Sequence, residues 1–335
     1  MDLRQSANFL PVKACALRHA QAGGSGTLVG LSVYNGLMPS SPTPPFNLSS
    51  EPVPRFPTPS VGPNRTGGAV WHVRALRASG RWCPTREAIS RWLDTLSFES
   101  SRLVLVGASA GWMMSTEFLA RFRSIEAIDI DPLARPLFAW RHGQRLRRAG
   151  TLVTWHRQDA LMQLEALMER WPSAAWLFDN VLGQQIYRHH DLDAVEAALG
   201  GLARRLAGRE WASIHDWLSG PAAPADVGAV LARPIERAVI EPRALRLNGQ
   251  ACSVEAAGEA LLATLNAGGE WQDHRTAWVF PPGTEVSLIP WEFLPGKWHW
   301  LQAGRVPGGI SAKVDAERGD AEMALRDGDE VDPAD

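Results

Sequence analysis

No apolar run in this chain approaches the roughly 18 residues that cross a bilayer as a helix. The N-terminus lacks the basic start, apolar stretch and small-residue cleavage site of a secretory leader. Cysteine is scarce: Cys15, Cys83 and Cys252 are too widely spaced for a disulfide framework or a zinc signature. These absences argue against a membrane protein and a disulfide-stapled scaffold, and make the reduced cytoplasm the expected compartment. Concentrated positive charge is missing too. Nine acids face two bases over residues 315–335, so this tail carries −7 of a chain whose formal charge is −2. The remainder is only about +5 and scattered, which is no nucleic-acid footprint. Only two tyrosines stand against fifteen tryptophans. The surplus of indole is expected in the core. No internal repeat is present.

What is there begins with proline. Pro39, Pro42, Pro44 and Pro45, then Pro52, Pro54, Pro57, Pro59 and Pro63, crowd the first part of the chain. Proline at this density removes backbone donors and blocks helix and central strand alike, so residues 1–67 are expected to be disordered. A true start at Met38 or a later codon fits the same composition. The acidic tail, 306–335, is expected to be disordered and solvated. The ordered domain then spans 68–305.

Within it, apolar and amphipathic segments alternate. Ile89, Trp92, Leu93 and Leu96 follow Thr85 at helical spacing, with Thr85 as the expected N-cap. Residues 103–106 form an unbroken apolar run, the mark of a strand buried on both faces. Further strands are expected at 125–130, 152–155, 174–178 and 211–215. Between them lie helical patterns: one running on from Gly111, one begun by Asp131-Pro132, one capped by Asp159 over 161–171, and one over 192–206. After a helix near 254–265, short strands are expected around 276–280, 285–289 and 298–302, separated by Pro-Gly turn signals. The expected architecture is α/β, a Rossmann-like doubly wound and mostly parallel sheet with helices on both faces and a C-terminal antiparallel hairpin.

The first strand ends in Gly107-Ala108-Ser109-Ala110-Gly111. Glycines there let the backbone turn sharply and approach a ligand closely. A helix starting near Gly111 would direct free N–H groups at an anion. Ligands of open α/β sheets sit outside the carboxyl ends of the strands, at the switch point. The second strand ends in Asp129, placed to accept hydrogen bonds from a ribose diol.

Here the sequence resembles the class I S-adenosylmethionine-dependent methyltransferases. Their first motif is an acid followed by Gly-x-Gly-x-Gly. Two of the three glycines match, Ser109 holds the middle place, and Leu105 replaces the acid. The resemblance implies that residues 107, 109 and 111 cradle S-adenosyl-L-methionine, that Asp129 holds its ribose, and that Asp159 lies by its adenine. It places Asp179, in Phe178-Asp179-Asn180-Val181, between methyl donor and an acceptor of unstated kind. A neutral acceptor needs a base, for which Asp179, His215 and Asp216 are the candidates. His189-His190 beside Asp191 and Asp193 sits on a turn whose adjacent side chains diverge, so no metal site is expected.

Residues 107–111 also read as Gly-x-Ser-x-Gly, the nucleophile elbow of α/β-hydrolases, with Asp216 and His274 completing a triad in chain order. That reading needs several strands before the elbow, where this chain offers proline-rich coil. A third reading keeps the methyltransferase-like fold but makes it a non-catalytic binding protein. Oligomeric state is not legible in the sequence.

Overall fold

The computed structural model describes residues 53–60, 68–233 and 236–309. The disorder expected for 1–67 and 306–335 concerns residues mostly outside these. Residues 53–60 are an exception. Proline keeps them extended, yet they pack on the domain, with Phe56 buried and the Ser60 amide donating to the Arg188 carbonyl at 2.8 Å.

Two helices come first, α1 (Ala69–Arg77) and α2 (Cys83–Thr95). Pro84 occupies the first turn of α2, where its missing N–H costs nothing. Thr85 is therefore inside the helix and not its cap; its hydroxyl donates to the Pro290 carbonyl at 3.0 Å.

Five parallel strands follow: β1 (Arg102–Val106), β2 (Ser124–Ile128), β3 (Leu152–His156), β4 (Ala175–Asp179) and β5 (Trp211–Pro221). β1 is central because both of its faces are apolar. Val104 and Val106 join one core layer, with Trp176, Phe178 and Trp211. Leu103 and Leu105 join the other, with Ile125, Leu177 and Ile214. Burying indole is a large part of this. Ten of the fifteen tryptophans are buried.

Beyond β5 the sheet turns antiparallel. β6 (Glu236–Glu241), β7 (Ala244–Leu247) and β8 (Gln250–Cys252) form a meander, β9 (Gln272–Asp273) is a short addition to β5, and β10 (Glu285–Leu294) and β11 (Lys297–Val306) form a long hairpin. The order is β3-β2-β1-β4-β5-β11-β10-β6-β7-β8, with β11 inserted between β5 and β10 and antiparallel to both. This is a Rossmann-like methyltransferase topology.

Two local expectations are corrected. Residues 276–280 make a turn rather than a strand, closed by the Val279 amide on the Thr276 carbonyl. The segment after Gly111 does not begin a long helix. Residues 112–113 make a turn, 114–115 are irregular, and only α3 (Thr116–Leu119) is helical, capped by the Ser115 hydroxyl accepting from the Phe118 amide. The helix-dipole argument for an anion at this turn is thereby lost. The strands 236–252 were not anticipated, because their alternation is weak and charged residues interrupt it.

The switch point lies where β1 sends one connection toward β2 and β4 sends another toward β5. The loops after β1 and β4 touch there. Gly107 has φ +74°, and a Cβ on it would stand 2.8 Å from the Asp179 carbonyl oxygen and 3.1 Å from Val181 Cβ. Gly107→Ala therefore combines left-handed strain with a backbone clash. It is expected to cost about 1–3 kcal/mol of unfolding free energy, read from urea denaturation; an unchanged midpoint would contradict this packing.

Candidate active-site cleft

The carboxyl ends of β1, β2 and β4 open into a cleft lined by Gly107, Ser109, Asp129, Asp159, Asp179 and Arg188, and by Trp71, Trp112 and Trp291. Asp129 organises it. One carboxylate oxygen accepts the Ser109 amide at 2.7 Å and the other the Asp131 amide at 2.8 Å. Ser109 sits at φ 44°, a left-handed conformation that glycine adopts freely and serine does not. The bond to Asp129 holds it there. Burial raises the Asp129 pKa above the usual carboxylate value, the two backbone bonds pull it back, and the Asp131 charge adds to the rise.

Asp131 belongs to α1 as much as to its own turn. Its Oδ2 accepts the Gly68 amide at 2.7 Å and faces His72 Nε2 at 3.1 Å, while Oδ1 accepts the Leu133 amide. Trp112 Nε1 donates to His72 Nδ1 at 3.0 Å, so Nε2 is the ring nitrogen that carries a proton toward Asp131. Trp71, one residue earlier on α1, donates its indole N–H to Ser109 Oγ at 3.1 Å. α1 therefore roofs the cleft, and its Trp71 packs with Trp82, Trp291 and Phe293. Sequence reasoning missed Trp71 and Trp291, for which no local signal exists: one precedes the first strand and the other lies on β10.

The remaining expected residues separate. Asp159 reaches the cleft, but its carboxylate is already engaged. Oδ2 pairs with Arg188, and Oδ1 accepts the Leu161 and Met162 amides. Arg188, from the segment after β4, was another omission. Gly111 does not line the cleft. At φ +60° its missing side chain makes room for the His142 ring, whose Nε2 would stand 2.7 Å from a Cβ. His215 lies apart, on the opposite face of the sheet. It is fully buried, with Ser213 Oγ 2.8 Å from Nδ1 and Gln302 Oε1 3.0 Å from Nε2, and its ring stacks on Phe280. Burial lowers its pKa to about 4, so it is neutral and remote from the cleft. Asp216 sits behind the cleft wall. Its Oδ2 accepts the Asn180 amide at 3.0 Å, and the Asn180 carbonyl oxygen accepts the Asp216 backbone N–H at 2.9 Å.

Asp179 is the unusual group. Its side chain faces the cleft, and no hydrogen bond among the described residues reaches its carboxyl. Burial, with a smaller push from the Asp129 charge, raises its pKa to about 7.

The hydrolase arrangement is not assembled. No strand among the described residues precedes β1. The Ser109 hydroxyl meets the Trp71 indole rather than a histidine, and His274 Nδ1 and Nε2 are taken by Gly183 O and Ser219 Oγ.

No family model matches the chain, and no curated protein does. Similar solved structures include a magnesium protoporphyrin IX methyltransferase from Synechocystis with bound S-adenosylhomocysteine, 14% identical at TM-score 0.36, covering 71% of this chain and 95% of that one. A SAM-dependent methyltransferase from Anabaena variabilis is 10% identical at TM-score 0.35, covering 77% of this chain and 100% of that one. An O-methyltransferase family protein from Burkholderia thailandensis is 12% identical at TM-score 0.32; the match covers 71% of this chain and 61% of that protein's length. No helix among the described residues is long and apolar enough to cross a membrane.

The raised Asp179 carboxyl predicts a pH-dependent stability. Its folded pKa of about 7 exceeds its ordinary value of 3.8, so the unfolded chain releases this proton first and stability falls as pH rises between those values. Asp179→Asn removes that loss. The variant is expected to melt above the parent protein at about pH 8, with the gap narrowing toward about pH 5. A gap independent of pH would show that Asp179 is not the titrating group.

Proposed function

We propose that this cleft binds S-adenosyl-L-methionine and that the chain is a methyltransferase acting on an acceptor of unassigned structure. The observation that carries the reading is Asp129. It stands at the end of the strand next to β1, at the switch point, with its carboxylate already oriented by two backbone amides. A carboxylate has about four lone-pair positions. Two remain for the hydroxyls of a ribose.

Charge supports the same ligand. The cofactor carries a sulfonium and an ammonium, and Asp129 and Asp179 are acids in this wall that no basic side chain among the described residues pairs with. The acid that the family places at position 105 is a buried leucine here. Asp179 takes over its part in holding the amino group. It lies two residues past Leu177, the β4 partner of Leu105 in the sheet. The indoles of Trp71, Trp112 and Trp291 provide an apolar, water-excluding surround. Held by Asp129 and Asp179, the cofactor would supply a sulfonium methyl open to displacement by a lone pair of an aligned acceptor, with sulfur as the leaving group. Such displacement depends mainly on positioning.

Calorimetry with S-adenosylhomocysteine tests this. Saturable binding is expected, weakened by about 1–3 kcal/mol in Asp129→Ala, the scale of a lost hydrogen bond to a charged group. S-adenosylmethionine should bind more tightly at about pH 8 than at about pH 6, with proton release near neutrality, since the cation favours ionised Asp179. The absence of heat at millimolar ligand rejects the reading.

A further inference from the structure

Behind the cleft wall, three strand regions bring three side chains with metal-binding groups to one buried point. Asp216 is on β5, His274 directly follows β9, and His299 is on β11. One carboxylate oxygen and one nitrogen of each imidazole lie within 4.8 Å of one another, and all three residues are buried. We propose that Asp216, His274 and His299 bind a divalent transition-metal ion of the zinc type, a site independent of the methyl-transfer reading.

The hydrogen bonds around the rings fit that role. His274 Nδ1 lies 2.7 Å from the Gly183 carbonyl, which can only accept, so Nδ1 holds the proton and Nε2 the lone pair. A ring N–H fixed on a backbone carbonyl is how ligating histidines are oriented. The present neighbour of His274 Nε2 is the Ser219 hydroxyl at 2.9 Å, a weak competitor for a cation's place. His299 turns Nδ1 to Asp216 Oδ1 at 2.8 Å, and its buried Nε2 has no hydrogen-bond partner among the described residues. An imidazole nitrogen left so in the interior is costly. Coordination through Nε2 would give that nitrogen a partner.

Donor chemistry selects the ion. Two imidazoles and one carboxylate suit zinc and its neighbours; magnesium and calcium prefer oxygen throughout. Zinc bonds of about 2.0–2.2 Å set tetrahedral neighbours roughly 3.4 Å apart. The 4.8 Å cluster closes to that spacing by side-chain rotations of roughly 1.4 Å or less. Tyr187, 38% exposed, packs edge-on against His274 and lies between that ring and solvent. The ion would tie β5, the segment after β9 and β11 together, and through Asn180 on Asp216 it would stiffen the wall of the cleft.

The test uses the tag-free, full-length chain, stripped with chelator and dialysed against zinc. One zinc per chain is expected by elemental mass spectrometry. Zinc at a hundredfold excess over its dissociation constant should raise the melting temperature by about 5–10 °C. His299→Gln and Asp216→Asn should each weaken binding by roughly 1,000-fold or more, beyond the roughly 10–100-fold that losing an outer hydrogen-bond partner typically costs. His190→Ala, at an exposed histidine outside the cluster, should leave it intact. X-ray absorption on the loaded parent chain should show two imidazoles, and it decides the matter if either variant fails to fold. A chain that takes up no zinc, uptake unchanged in both cluster variants, or a bound zinc without two imidazoles overturns the proposal.

Discussion

The cleft depends on one carboxylate. Asp129 accepts the amide of Ser109 from the loop after β1 and that of Asp131 from the loop after β2. Two connections that leave the sheet in different directions are thereby stitched at the switch point. Ser109 can hold its left-handed conformation without a glycine because this bond and the Trp71 indole fix it from two sides. Asp131, placed by the same contact, becomes the anchor of α1. Removing Asp129 would loosen the floor, the rim and the roof together.

The acids of the cleft divide into those already satisfied and those that wait. Asp131 is held by α1 and Asp159 by Arg188. Asp129 is half satisfied, and Asp179 is not satisfied among the described residues. Burial without a partner is expensive for a carboxylate, and Asp179 answers by staying partly protonated near neutrality. A cation placed beside it would favour the ionised form. The same logic separates Asp179 from Asp216. Burial pushes Asp216 upward too, but His299, His274 and the Asn180 amide hold it well below the ordinary carboxylate range. One acid is poised and the other is committed to a network.

The antiparallel extension explains why that network exists. β5 is longer than the other parallel strands and runs on past the cleft to pair with β11 and β9. Polar residues on the extended part are buried by this pairing and must find partners inside. Gly183 permits it: a Cβ there would stand 2.8 Å from the Asp216 amide nitrogen. The loop after β4 can therefore lie directly on β5 and hand its carbonyl to His274.

Local pattern alone determined the parallel half of the sheet, because runs such as Leu-Val-Leu-Val at 103–106 have no solvent-facing side and alternate with helices. It also determined the places of Asp129 and Asp179, since one directly follows a strand and the other ends one, and the apolar runs mark both strands. It could not determine which turns continue as helices: the segment after Gly111 has helical spacing but spends its apolar side chains in turns packed on the core. Nor could it find Trp71, Arg188 or His299, whose roles come from contacts between distant segments. His215 and Asp216 show the limit most plainly. They are neighbours in sequence, but the pleat sends them to opposite faces of one sheet, and only the tertiary structure decided which met the cleft wall.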